Sequence, residues 1–310
     1  MHKRFLNHAR LRIELIPRGP ILVKSGIESP DPTRPAMAFV RTRHAELGET
    51  VYLPGTSLKG LLRSHAERLL AGLGLTVHDP FQRAQGQGRG DAPEVFRNLC
   101  PVERTFGSLA CGGRLNVTDA YPWMPEGESS EEMAAARDLA NQTEVRLQVG
   151  IDRQTGSTQD STLFDLEVVN RGSFHAEIYL ENFQLWQLGL IEAVLRDVDD
   201  GFAPVGFGKS RGLGQMSVTR RRLDLEMIGK RDQLAGAGAL VTEAVAKQYD
   251  LTLTDLAPLP PGLELESTWR GRRLEVAEDK LAKVLEVAVE MLERFVAERL
   301  ARTSAAAAGR

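Results

Sequence analysis

Apolar residues alternate at Leu11, Ile13 and Leu15 and resume at Ile21 and Val23, which predicts a strand and a second short extended piece around the turn-prone 17–20. From Lys24 to Glu49, prolines at 30, 32 and 35 among scattered charges predict a long exposed loop. Val51 to Leu53 then ends a strand at a Pro-Gly turn, with Thr56 or Ser57 at the N-cap position of a helix. Leu58, Leu61, Leu62, Leu69 and Leu70 line one face of that helix until Gly72 and Gly74 stop it. Residues 80–98, rich in Gly, Gln and Arg, predict a flexible surface insertion, and 115–118 a short strand. Residues 125–143 are acidic and Ala-rich, as an exposed short helix would be. The runs VRLQV and LFDLEVV flank the polar IDRQTGSTQDST, which predicts a hairpin or β-arm. Phe174, Ala176, Ile178 and Leu180 mark one more strand, 183–196 a helix, and a glycine-rich segment follows.

Beyond Arg222 the pattern becomes mainly helical. A helix-prone stretch spans 232–248, APLPPG links 257–262, and apolar residues from Leu274 to Leu300 recur at the spacing of a long amphipathic helix. Its stripe needs a partner surface, in the same domain or in another subunit. The division this suggests is a core over 1–222 and a helical C-terminal extension over 223–310.

The composition, 42% hydrophobic and 26% charged over 310 residues, is that of a soluble globular protein. No apolar run reaches membrane-span length, and MHKRFLNHAR lacks the apolar region of a secretory signal, so a cytoplasmic location is expected. Two cysteines, Cys100 and Cys111, make no disulfide scaffold and suit a reducing compartment. A net charge of −3 argues against coating nucleic acid through overall charge. Two segments are nevertheless basic: 1–13 with Lys3, Arg4, Arg10 and Arg12, and 201–222 with Lys209, Arg211, Arg220, Arg221 and Arg222, neither holding an acid. They read either as nucleic-acid contacts or as solvated faces.

Gly208-Lys209-Ser210 looks like the end of a nucleotide-binding P-loop, but Ala203 stands where its first glycine belongs, and no helix pattern follows. Gly206, Gly208, Gly212 and Gly214 instead suit close approach of two backbones, with Lys209 and Arg211 placed to meet phosphate. Cys100 and Cys111 form no C-x-x-C pair; with His78, or His65 in its place, they are the candidates for a structural zinc, a cofactor the spacing disfavours. No G-x-S-x-G, H-E-x-x-H or paired-carboxylate signature is present.

In order along the chain, YLPGTSLKGLLRS (52–64), FGSLACGGRLNVTDA (106–120), IDRQTG (151–156) with FDLEVVNRGSFHAEI after it, and GFGKSRGLGQM (206–216) resemble the RAMP superfamily. The likeness is to the type III CRISPR effector backbone subunits of the Cas seven family and covers about residues 10–220. It implies an α+β, ferredoxin-like (RNA-recognition-motif-like) RAMP core with insertions and a β-hairpin thumb at about 145–172. Partners implied are CRISPR RNA, complementary target RNA, other RAMP subunits of an effector complex and further copies of this chain. On this likeness Ser57, Lys59 and Arg63 lie against the guide backbone, Arg153 sits in the thumb, and Gly208, Lys209, Ser210 and Arg211 hold the same strand. That division is coherent, because a protein that accepts any guide reads backbone and shape and leaves sequence to base pairing.

Some members cut guide-paired target RNA with an aspartate in the loop after the first strand. Here that residue is Asp31, with Glu28 as the alternative, directly or through Mg²⁺, and with Arg34 or Arg41 neutralising phosphate. Where relatives carry a second aspartate in a P-D-M context, this chain has Pro35-Ala36-Met37, and Glu103 replaces a cysteine of the family's zinc patch. The alternatives are a stand-alone RAMP endoribonuclease that processes precursor CRISPR RNA, a catalytically inactive assembly subunit, and an adaptor that does not bind nucleic acid and docks through the 274–300 helix.

Overall fold

A computed structural model describes residues 4–26, 35–79, 90–124, 129–158 and 164–308. Strand β1 (Asn7–Pro17) leads to the hairpin strands β2 (Arg41–His44) and β3 (Gly48–Val51) and then to helix α1 (Gly55–Gly72). Two short helices, α2 (Ala92–Arg97) and α3 (Pro101–Phe106), precede β4 (Leu115–Val117) and α4 (Ser130–Asp138). The arm strands β5 (Glu144–Gln148) and β6 (Phe164–Val168) are followed by β7 (Phe174–Glu181), α5 (Leu185–Asp199) and β8 (Met216–Ile228). The C-terminal part holds β9 (Leu234–Ala235), α6 (Glu243–Gln248), β10 (Leu256–Ala257), β11 (Glu266–Ser267), β12 (Gly271–Ala277) and α7 (Glu278–Ala308).

The main sheet has the order β11-β12-β8-β1-β7-β4, and its pairs are antiparallel. Within it, β1-α1-β4 and β7-α5-β8 form two βαβ units around β8-β1-β7-β4, which is the ferredoxin-like arrangement. Alternation sets its faces. Ala9, Leu11, Ile13 and Leu15 on β1 enter one core with Leu58 and Leu62 of α1, Trp186 and Ile191 of α5, and Leu281, Leu285 and Phe295 of α7. Arg10, Arg12 and their neighbours take the other face.

The stripe of the last helix is covered by its own chain. Phe295 of α7 stacks on Trp186 of α5 with ring centroids 4.1 Å apart. Gly189 of α5 lies so close to α7 that a Cβ there would stand 2.0 Å from the Ala288 carbonyl oxygen. The adaptor alternative, which needs that stripe free, therefore loses its docking face. The first residues of the stripe, Leu274 to Ala277, form β12 and not helix, because they pair with β8 along Gly271–Ala277. Position 222 lies inside β8, and residues before and after it share one core. The helix pattern over 232–248 yields helix only at α6, after the short strand β9.

The long loop expected over 24–49 contains the β2–β3 hairpin, and the insertion expected over 80–98 contains α2, capped by Asp91. The two basic segments do not make two basic surfaces. Across the sheet, Arg10 pairs with Asp224 at 2.8 Å, Arg12 with Glu177 at 2.9 Å, and Arg222 with Asp224 at 2.7 Å and Glu275 at 2.5 Å. A register shift opposite Arg12 and Ile13 lets Arg221 reach Glu14 and Glu278 while Arg220 turns to Glu192 of α5. Acids distant in sequence, together with Asp224 beside Arg222, neutralise these arginines.

Candidate nucleic-acid interface

Helix α1 begins at Gly55, with Pro54 at the N-cap position two or three residues before Thr56 or Ser57, and no side chain of Pro54 caps it. The cap comes from elsewhere: Asp119 accepts the Gly55 N–H at 2.7 Å. Glycine is required at this point, because a Cβ would stand 2.4 Å from the Val117 carbonyl oxygen. The P-G-T-S and N-V-T-D-A segments are thus two halves of one contact. Lys59 and Arg63 strengthen it from the helix, donating to the carbonyls of Leu115 at 2.7 Å and Gly107 at 3.0 Å, while Arg63 also pairs with Glu67 at 2.9 Å. Partial burial, then the nearby Arg63, lowers the Lys59 ammonium from its ordinary pKa. Ser57 is exposed.

The glycine-rich segment packs on the chain that follows β1. The Phe207 N–H donates to the Leu22 carbonyl at 2.7 Å, and the Gly214 N–H to Pro20 at 3.0 Å. Gly206 and Gly214 have φ of +84° and +95°, and a Cβ on either would stand 2.3 Å from a carbonyl oxygen. Between Gly208 and Gly212, both left-handed, Lys209–Arg211 make one helical turn with all three side chains exposed.

That turn meets the base of the arm. The Arg211 guanidinium lies 5.0 Å from the Phe164 ring centre of β6, 5.9 Å from that of Phe207, and within 3.4 Å of Gln148 Oε1 of β5. Ile21 and Val169 exchange backbone hydrogen bonds on the other side. At the same junction the Ser25 N–H donates to Ala38 at 3.0 Å and the Ala36 N–H to Asp165 Oδ1 at 2.7 Å. Glu28, Asp31 and Arg34 lie outside the described residues; Ala36, which follows them in the chain, bonds the base of the arm.

Arg41 is committed to the arm. It grips Glu167 of β6 through two bonds, of 2.7 and 2.9 Å, and reaches the Ala140 carbonyl. Burial alone would raise the Glu167 carboxyl, yet bonds from Arg41, Thr143 and the Phe39 N–H hold it below its ordinary value. β5 pairs with β6, and Val145, Leu147, Val149 and Ile151 project into solvent in alternation. Arg153 is exposed in the turn that Asp152 organises by accepting the Gln154 and Thr155 N–H groups.

Of the zinc candidates, His78 and Cys100 come together and Cys111 stays apart; Glu103 completes the cluster, with one ligand atom from each of the three within 4.8 Å of the others. His78 Nδ1 is 2.6 Å from Glu103 Oε2, which also accepts the Cys100 N–H at 2.9 Å and so closes the first turn of α3. The donor types suit zinc, but three of them come together among the described residues where a structural site takes four.

His65, a zinc alternative in the sequence, lies outside the cluster of His78, Cys100 and Glu103 and instead joins Arg68 and Asp197, which the sequence pattern missed. His65 Nε2 of α1 is 2.5 Å from Asp197 Oδ2 of α5, and Arg68 Nη2 is 2.8 Å from His65 Nδ1. The spacing of 65 and 68 places them on one helical face, which was visible, but the distant Asp197 that fixes them was not.

Residues 19–217, more than half of the chain, match the family model described as the RAMP superfamily. No curated protein matches the chain.

Proposed function

Because the chain belongs to the RAMP superfamily, whose members bind RNA and act in CRISPR complexes, we propose that it is a guide-RNA-binding backbone subunit of a type III-like effector ribonucleoprotein. The observation that carries this reading is the junction at Arg211, where the glycine-rich turn meets the arm base that Ala36 also bonds. Lys209, Ser210 and Arg211 are exposed there, while the arginines of the sheet face are matched by carboxylates. A rigid turn with two cations and the Ser210 hydroxyl suits a phosphodiester backbone whose bases are left for pairing. Phe164 and Phe207 supply flat apolar surface beside it.

The variant Lys209→Glu/Arg211→Glu tests the reading directly. Affinity for guide-length single-stranded RNA at 0.1 M salt is expected to fall at least tenfold, with unchanged circular dichroism. RNA binding equal to wild type would overturn the reading.

Guided cleavage is the second part of the proposal, favoured by the Ala36 bond that ties the chain following Asp31 to the arm base. Asp31, with Glu28 as the alternative, would hold Mg²⁺ or act on the 2′-hydroxyl of paired target RNA. Asp31→Ala is expected to abolish regularly spaced cuts while target capture persists. Cuts that continue in Asp31→Ala and stop in Glu28→Ala assign the role to Glu28; continuing in both, they remove the loop from the chemistry.

A further inference from the structure

Resting on the RNA-binding reading, we propose that Trp269, at the tip of the β11–β12 hairpin, is a stacking platform for a nucleobase of single-stranded RNA. The tip lies beyond residues 19–217 and at the far end of the main sheet from the Lys209–Arg211 turn. On β1, Asn7 pairs with Met227 at the tip's end and Pro17 with Met216 at the other, so the length of that strand, roughly 33 Å, separates the two ends. This is a contact of its own and not an extension of the first.

Trp269 is 91% exposed, whereas Trp123 and Trp186, the other tryptophans of the chain, are buried. The turn beneath it is firmly held. The Thr268 N–H donates to the Gly271 carbonyl at 2.9 Å, and Thr268 Oγ1 accepts the Gly271 N–H at 3.1 Å. The Gly229 N–H donates to the Arg270 carbonyl at 3.3 Å, which ties the tip to the turn after β8. Glycine is required at 271, because a Cβ there would stand 2.1 Å from the Met227 carbonyl oxygen.

Arg270 links the exposed ring to the body of the protein. Its guanidinium carbon stands 5.3 Å from the centre of the Trp269 ring and 4.9 Å from that of the half-buried Phe5. Glu226 fixes the guanidinium plane by accepting from both Nε, at 3.1 Å, and Nη2. Phe5, Arg270 and Trp269 are therefore three flat groups in successive contact, ending in a ring that faces water. A nucleobase extends such a series whatever its identity, because every base has a π-face.

A protein partner fits this tip less well. Over 226–232 and 264–273 no other large apolar side chain is exposed, so the hairpin offers one ring and not a hydrophobic patch. Asp232 is matched by Arg272 at 2.6 Å and Glu226 by Arg270. Lys230, exposed on the adjoining turn, has no acidic partner among the described residues.

Tryptophan fluorescence gives a direct test, because the two buried rings are shielded from solutes. Titrating the full chain with guide-length single-stranded RNA is expected to quench the emission, and Trp269→Phe is expected to abolish that quenching. Affinity is read in parallel by anisotropy of labelled RNA between 50 and 300 mM salt. Trp269→Ala is expected to weaken binding about five- to a hundredfold with Tm unchanged. Its log–log salt slope is expected to equal that of wild type, since a stacked base releases no counterion. Trp269→Phe, which keeps a flat ring, is expected to retain most of the affinity.

RNA binding that leaves the wild-type emission unchanged would overturn the platform. A slope reduced by about 0.7 in Trp269→Ala, the value for one phosphate contact on a single strand, would also overturn it. So would wild-type affinity in Trp269→Ala; if Lys209→Glu/Arg211→Glu is then impaired, the RNA-binding reading stands and the tip is left to a protein partner. If that variant is unimpaired too, or if the wild type binds no RNA, the reading falls with the platform.

Discussion

Asp255 is fully buried, with its carboxylate oxygens accepting N–H groups of Leu185 at 3.0 Å and Gly238 at 3.1 Å. It caps the first turn of α5 from a loop seventy residues away. Burial pushes its pKa up to about 7 against those two opposing hydrogen bonds. The folded state thus binds this proton more tightly than the unfolded chain does, where the value is 3.8. The associated stability is fully present below pH 3.8 and is lost as pH rises through about 7. The stability of wild type minus that of Asp255→Asn is therefore expected to decline by a few kcal/mol between pH 4 and pH 8. Denaturant titrations across that range check it, and a difference independent of pH contradicts it. Gly55 shows the converse case, in which a single residue was legible by type but not by reason. The glycine of the P-G turn was evident; that it admits the Val117 carbonyl, and that Asp119 caps the helix, depends on a strand about sixty residues away.

Among the elements, the helix of Leu58 to Leu70, the arm and the sheet strands were legible because their periodicities of 3.6 and 2 are long enough to be distinctive. The segment 274–277 misread as helix shows the limit: four residues fit either period, and the pairing of β12 with β8 decides between them. The packing of α7 on α5 was also hidden, since a stripe does not name its partner. Phe295→Ala removes the ring stacked on Trp186 and is expected to cost about 3–5 kcal/mol, with a corresponding fall in Tm. A loss below about 1 kcal/mol would mean that α7 is a loosely held appendage. The arm carries a different expectation. Leu147 is 70% exposed on a row of four apolar side chains, more than an isolated hairpin gains from. If the arm contacts neighbouring subunits, Leu147→Asp leaves Tm unchanged and reduces the number of copies in the RNA-bound assembly, counted by native mass spectrometry. An unchanged copy number contradicts that role.

At the scale of the molecule, charge is where linear reading and structure diverge most. The runs 1–13 and 201–222 are both basic in sequence, yet Arg10, Arg12, Arg220, Arg221 and Arg222 meet carboxylates contributed by β7, β8, α5, β12 and α7 or by β1 itself. What remains at the loop end of the second run, Lys209 and Arg211, is exposed, with Arg211 against the arm base. The motifs that suggested RNA contact therefore divide into two kinds. Lys59 and Arg63 tie α1 to the segment over 107–115, whereas the glycine-rich turn presents its side chains outward. No helix among the described residues is long and apolar enough to cross a membrane.

The central claim is that this chain holds a guide RNA by its backbone and leaves the bases for pairing. The most direct measurement is purification of the chain with its native neighbours, sequencing of the RNA it carries, and capture of labelled RNA complementary to that sequence. Guide-length RNA containing repeat-derived sequence is expected, which captures complementary RNA and is lost in the Lys209→Glu/Arg211→Glu variant. A complex free of such RNA, or one that retains it in that variant, would contradict the account.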